Sequence, residues 1–144
     1  MENRGSRKQL LITEQPIDQA RLIAERRIPP DCGAVIEFLG VVRDEEDGKR
    51  ISALEYEAYR EMAEFQFHKI MDETLKRFPI SLLHVVHRVG VIQVGEPSLY
   101  VCVVAGHRGE AFEASKYLID RLKQVVPIWK RPVSGLLPRG EGES

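Results

Sequence analysis

From Ser98 to Val126 the chain reads SLYVCVVA, then GHRG, then EAFEASKYLIDRLKQVV. The first block, Ser98 to Ala105, carries no charge and is rich in β-branched and aromatic residues, which is the composition of a strand covered on both faces. Gly106-His107-Arg108-Gly109 is a short connection. Apolar residues then return at helical spacing, and Phe112, Ile119, Leu122 and Val126 predict the inner face of a helix over Glu110–Val126. Pro127 ends it, because proline lacks the N–H that the next turn needs. A buried strand that feeds an amphipathic helix requires other strands beside it and a further layer above it.

Upstream segments supply them. Leu82 to Val94 is strand-like with a bend near Gly90, and the turn Gly95-Glu96-Pro97 predicts a hairpin into the buried strand. Arg60 to Phe78 predicts a helix whose stripe is Phe67, Ile70, Met71, Thr74, Leu75 and Phe78, closed by Pro79. Ile51 to Tyr59 predicts a strand with Leu54, Tyr56 and Ala58 on one face and Glu55 and Glu57 on the other. Arg43 to Arg50 is polar, contains Asp47-Gly48, and is expected to be a loop. Ala34 to Val42 predicts a strand opened by Cys32-Gly33, and Pro16 to Ile28 a first helix stopped by Pro29 and Pro30. Downstream, Ile128 to Arg131 is a short extended piece. The irregular alternation of helices and strands gives an α+β fold with a largely antiparallel sheet. It forms one domain over residues 1–134, with a Gly/Pro/Ser-rich flexible tail expected over 135–144.

Composition narrows the function. At 43% hydrophobic and 30% charged residues, the 144-residue chain can bury a core, so disorder is not its main state. Lys and Arg number 21 against 22 Asp and Glu, and this balance argues against a nucleic-acid partner, which would select a basic excess. No apolar run approaches the roughly 20 residues of a membrane helix, and Met1 to Gln9 lacks an apolar leader, so a cytoplasmic protein without a membrane partner is expected. Cys32 and Cys102 stand far apart in the sequence with no ligand spacing, and are expected as reduced structural thiols. His84 and His87, three apart in a strand, point to opposite faces and cannot share a metal. No metal site or cofactor is implied.

The cationic residues are more informative. Arg43 follows directly on a strand. His107 and Arg108 sit where a strand hands over to a helix N-terminus, whose unpaired N–H groups favour an anion. Lys123 lies in the last turn of that helix, and Lys130 and Arg131 follow Pro127 beside Trp129. Arg121 to Arg131 holds four basic residues and no acid. Converged, these segments make a phosphate pocket. Apart, Arg43 is a loop residue, His107-Arg108 a strand cap, Lys123 a surface ion-pair partner of Asp120, and Lys130 a stem lying on indole.

The ordered set Gly40-Val41-Val42-Arg43, Leu54-Glu55-Tyr56, His87-Arg88-Val89-Gly90, Gly106-His107-Arg108 with Ala111-Phe112-Glu113-Ala114, and Leu122-Lys123 before Pro127-Ile128-Trp129-Lys130-Arg131 resembles the large, catalytic subunit family of molybdopterin synthase. The resemblance runs from Gly33 to Arg131. It implies an α/β hammerhead-type fold with an added small β subdomain. The activity it implies is a sulfurtransferase that converts cyclic pyranopterin monophosphate to molybdopterin, forming the dithiolene, in molybdenum cofactor biosynthesis. The implied sulfur donor is the C-terminal Gly-Gly thiocarboxylate of a small ubiquitin-like subunit, and the implied assembly is a homodimer within a heterotetramer. Carried over by position, Lys123 and Lys130 are the catalytic lysines. Val41, Val42, Arg43, His107, Arg108 and Arg131 join both lysines in binding substrate. Two ammonium groups held close together disfavour each other's charge, so one can give up a proton and act as base while the other stays charged. Beyond Arg131 the sequence departs from the family pattern. Pro132 stands in place of an acid, and Gly135 to Gly140 in place of a Trp-bearing strand, so no site residue is carried over from there. Two non-enzymatic readings compete: a pterin- or phosphate-binding protein, and a scaffold for the partner, each on the same fold.

Overall fold

The uncharged run Ser98–Ala105 lies inside a sheet, flanked on both sides. The computed structural model describes residues 7–133. Among these, the elements are β1 (Lys8–Thr13), α1 (Gln19–Glu25), β2 (Ala34–Val41), β3 (Glu45–Glu46), β4 (Lys49–Arg50), β5 (Ala53–Ala58), α2 (Arg60–Arg77), β6 (Ile80–Arg88), β7 (Gly90–Gln93), β8 (Pro97–Ala105), α3 (Arg108–Val125) and β9 (Ile128–Val133). The main sheet has the order β1-β6-β8-β2. β8 is antiparallel to both β6 and β2, and only β1 runs parallel to its neighbour β6. The fold is α+β, as the sequence predicts. The expected tail over 135–144 lies outside the described residues.

The two faces of the sheet are both covered, which is why β8 has no polar side to spare. α2 and α3 lie over one face, where Phe67, Ile70 and Met71 from α2 and Ala114 and Leu118 from α3 meet Leu83, Val85, Val101 and Val103. On the other face Ile17 and Leu22 pack on Val86, Tyr100, Cys102 and Val104. There Tyr100 donates to Glu37 (3.0 Å), whose carboxylate also pairs with Arg26. Leu118 is fully buried. Leu118→Ala is expected to cost about 2–5 kcal/mol, read from the midpoint of urea unfolding.

A second, smaller sheet of order β7-β5-β9 packs its own cluster of Val42, Ile51, Leu54 and Ile92, with Tyr56 at its edge. This is the small β subdomain that the family resemblance implies. β9 pairs with β5 from Ala53↔Val133 to Ala58↔Ile128. Pro132 is tolerated because β9 is an edge strand, where a missing donor costs little.

Several expectations are corrected. The first helix is shorter than Pro16 to Ile28, starting at Gln19 behind the Asp18 cap and ending at Glu25. The Arg43–Arg50 loop contains the β3–β4 hairpin, turned by Asp47 and Gly48 at φ 53 and 79. That is the positive-φ pair a two-residue turn demands. The turn at Gly95 does not close a simple hairpin, because β7 pairs with β5 in the small sheet while β8 pairs with β6 and β2. On α3 the inward residues are Ala111, Ala114, Ser115, Leu118 and Leu122, and Phe112 is 58% exposed. Ile119, Leu122 and Val126 pack on the core as predicted, and Phe112 alone of the four points outward, its place taken by Ala111. β1, which was not predicted, is an edge strand with alternating exposure that turns Leu10 and Ile12 to the core and Leu11 outward.

Candidate functional site

Three elements end around one cavity of about 580 Å³. The register of β2 shifts between Gly40 and Val41, which leaves Val41 half exposed at the rim and Arg43 just beyond it. The last turn of α3 contributes Leu122, Lys123 and Val126. Pro127 turns the chain back, and the alternation of β9 puts Ile128 and Lys130 on the cavity. Trp129 and Arg131 face the other way, with Trp129 59% exposed and Arg131 ion-paired to Glu55. Tyr56, directly opposite Lys130 in the register, lines the cavity beside it.

The floor is a row across the main sheet. His87 in β6 pairs with Leu99 in β8, which pairs with Gly40 in β2. Phe38 and Ser98 complete it. A Cβ on Gly40 would lie 3.5 Å from both Leu99 Cβ and the Phe38 ring, so glycine here leaves room above the sheet.

Arg43, Lys123 and Lys130 therefore meet, and no carboxylate lines the cavity. The three cations differ in their surroundings. Lys130 Nζ lies 3.2 Å from Glu46 Oε2, which the β3–β4 hairpin brings to the rim. Lys123 and Arg43 have no carboxylate partner among the described residues. The expected Lys123–Asp120 pair does not form, since Asp120 is taken by Lys116 at 2.8 Å. A second cavity of about 590 Å³ lies beneath α1. Two of its arginines are already committed, Arg26 to Glu37 and Tyr100 and Arg7 to the Ile80 carbonyl. The first cavity is the better anion site.

The other sequence-predicted residues fall elsewhere in the chain. Val42 is buried in the small-sheet cluster and its side chain does not reach the cavity. Arg131 is on the opposite face of β9, for the period-two reason above. His107 caps α3, exposed and 3.8 Å from Glu110, and Arg108 is the first helical residue. Arg108 and Lys123 sit at opposite ends of one helix, so about 22 Å separates them along its axis. Within one chain the five cations thus divide into a group of three and a distant pair.

His87 and Tyr56 were missed as site residues. A lone histidine in an apolar strand gives no signal of its own, and the row that exposes it depends on strand pairing between distant segments. The His87 ring packs edge-on against Tyr56 (5.5 Å between centroids) and Phe67 (6.1 Å). Its Nδ1 lies 2.8 Å from the Arg88 carbonyl oxygen. Burial pushes its pKa down and the Arg88 carbonyl offsets this only in part, so the imidazole is held neutral.

This fold, with a cationic cavity between a sheet edge and a helix C-terminus, has known counterparts. The family model described as MoaE protein matches residues 12–125, and the chain belongs to that family. A molybdopterin synthase catalytic subunit from Thermoplasma volcanium is 45% identical over 131 residues, covering 91% of this chain and 93% of that protein. One from Pyrococcus abyssi is 47% identical over 102 residues, covering 71% and 69%. The structure of molybdopterin synthase from Staphylococcus aureus superposes with a TM-score of 0.79 at 33% identity, covering 92% of this chain and 95% of that one. By this kinship the chain is an enzyme subunit of the molybdopterin synthase kind, acting in molybdenum cofactor biosynthesis. Among the described residues no helix is long and apolar enough to cross a membrane.

Proposed function

We propose that the chain is the sulfurtransferase half of a two-subunit enzyme that converts cyclic pyranopterin monophosphate to molybdopterin. The sulfur arrives as the C-terminal Gly-Gly thiocarboxylate of a small ubiquitin-like partner, and the setting is the cytoplasm. The observation that carries this reading is the convergence of Arg43, Lys123 and Lys130 on one cavity, against a single carboxylate, Glu46, at its rim. A cyclic phosphate is anionic, and so is a thiocarboxylate tail. Fixed cations bind both and hold them together against their mutual repulsion.

In this mechanism the thiocarboxylate sulfur attacks a pterin side-chain carbon and displaces a phosphate oxygen from it, and water then cleaves the resulting thioester, which leaves the sulfur on the pterin and a carboxylate on the partner's tail. Lys123, free of any carboxylate among the described residues, contacts the partner's tail and serves as the principal acid and base. Lys130, anchored by Glu46, stabilises negative charge as it develops on oxygen. Arg43 holds the phosphate.

His107 and Arg108 enter from a second copy of the chain. One chain cannot bring them to Lys123, because α3 itself holds the two groups apart. In a two-fold dimer the helix N-terminus of one protomer can face the C-terminal end of the same helix in its partner. Phe112, exposed one turn beyond Arg108, is an apolar side chain that such a contact would cover. His107 then relays a proton and Arg108 adds a phosphate contact. The assembly that follows is a homodimer with one small subunit for each active site, a heterotetramer.

The test is an assay with the thiocarboxylated small subunit and the cyclic pterin. Product formation is expected. Tight pterin binding without product would select the non-catalytic binder, and partner binding without pterin affinity would select the scaffold.

A further inference from the structure

The site as described accounts for anions, yet a pterin is also a heterocycle with N–H donors that need acceptors. The three cations in the cavity are donors only. Ser98 Oγ, which donates to the Gly40 carbonyl at 3.3 Å, and the Tyr56 hydroxyl can each both donate and accept. His87 is different in kind. A carbonyl oxygen only accepts, so the 2.8 Å contact with Arg88 puts the hydrogen on Nδ1 and leaves the lone pair on Nε2. Nε2 has no hydrogen-bond partner among the described residues, although the ring lines the cavity and is clamped between Tyr56 and Phe67. A histidine that served packing alone would be expected to have both nitrogens satisfied or in water, since a shielded polar atom without a partner is unfavourable.

We infer that His87 is a further substrate-contacting residue, whose Nε2 accepts a hydrogen bond from an N–H or O–H of the pterin at the floor of the cavity. The assignment rests on the proposed substrate for the identity of the donor. The division of labour is then simple: the cations at the rim hold phosphate and tail, and the neutral imidazole in the floor orients the ring system. The Arg88 carbonyl fixes the tautomer and the two aromatic edges fix the ring, so the acceptor is in place before substrate arrives.

The full chain in complex with its small subunit is titrated with the cyclic pterin and, separately, with inorganic phosphate. His87→Phe keeps the ring and removes the acceptor, and is expected to weaken pterin binding by about tenfold or more while leaving phosphate binding within twofold. His87→Gln, which retains an acceptor, is expected to recover most of the loss. A second measurement needs no variant. In long-range nitrogen–proton spectra of labelled wild type, the His87 Nε2 resonance should lie at its unprotonated position and move on addition of pterin but not of phosphate. Pterin binding by His87→Phe within twofold of wild type, equal loss of pterin and phosphate, or an Nε2 resonance indifferent to pterin would each overturn the assignment. Wild type that binds no pterin at all overturns the proposed substrate, and the role of His87 with it. Wild-type binding that ignores the His87 substitution overturns the role of His87 alone.

Discussion

Lys123→Ala should lower turnover by roughly 10²- to 10⁴-fold while the complex with the small subunit still forms. Lys123 is the cleanest of the cavity cations to remove. It is exposed, and among the described residues it breaks no ion pair on leaving. Its backbone sits in the last turn of α3, anchored by the buried Leu122 next to it. The structural loss is confined to a favourable contact between an ammonium and the helix C-terminus, worth about 0.3–1 kcal/mol. Lys130→Ala is a poorer probe, because it leaves the Glu46 carboxylate at the rim with its partner gone and so adds a repulsion that the wild type never had. The measurement is single-turnover product formation with pre-loaded thiocarboxylate, alongside gel filtration of the two-subunit complex. Full activity in Lys123→Ala would remove the proposed acid and base. Loss of the complex would instead assign Lys123 to partner binding.

How much of this was legible in the sequence depends on how local the signal is. Strands β2, β5 and β8 and helices α2 and α3 are visible because their apolar patterns repeat within a few residues, and proline or glycine punctuates their ends. Arg43, Lys123 and Lys130 could be nominated as cations at element ends, but not brought together by spacing alone. Their convergence depends on Pro127 folding β9 back along β5, with Lys130 opposite Tyr56. The same alternation takes Arg131 away, which the adjacency of the two residues in sequence hides. Val42 was nominated with Val41, yet one residue of strand period separates a rim side chain from a buried one. β1 and the partner of β7 were not legible for a different reason. The run Leu10-Leu11-Ile12 is too short to show a period, with Leu11 exposed between two core-facing neighbours, and a short strand between two sheets carries no mark of which it will join. His84 and His87 point to opposite faces, as strand alternation predicts. His84 lies against Tyr100 on the α1 side and His87 against Phe67 on the α2 side.

Mixing two impaired variants should give more activity than either has alone. Lys123→Ala removes the proposed acid and base from the end of α3, and Arg108→Ala removes the distant cation from its start. If each active site takes Lys123 from one protomer and Arg108 from the other, a mixed dimer holds one site lacking both residues and one site lacking neither. Random exchange of equal amounts puts half of the protomers into mixed dimers, and half of the sites in those are intact, so activity should reach about a quarter of wild type. A site confined to one chain gives no such rescue, because every protomer in the mixture carries one defect or the other. The helix length makes the outcome decisive. Nothing short of unfolding α3 can bring Arg108 within reach of Lys123 in the same chain, and the roughly 22 Å between them spans more than the cavity itself. Recovery near one quarter after co-refolding or prolonged exchange, and none when the variants are mixed without exchange, establishes the shared site. Failure to recover under exchange that mass spectrometry shows to be complete would return His107 and Arg108 to the role of a strand cap.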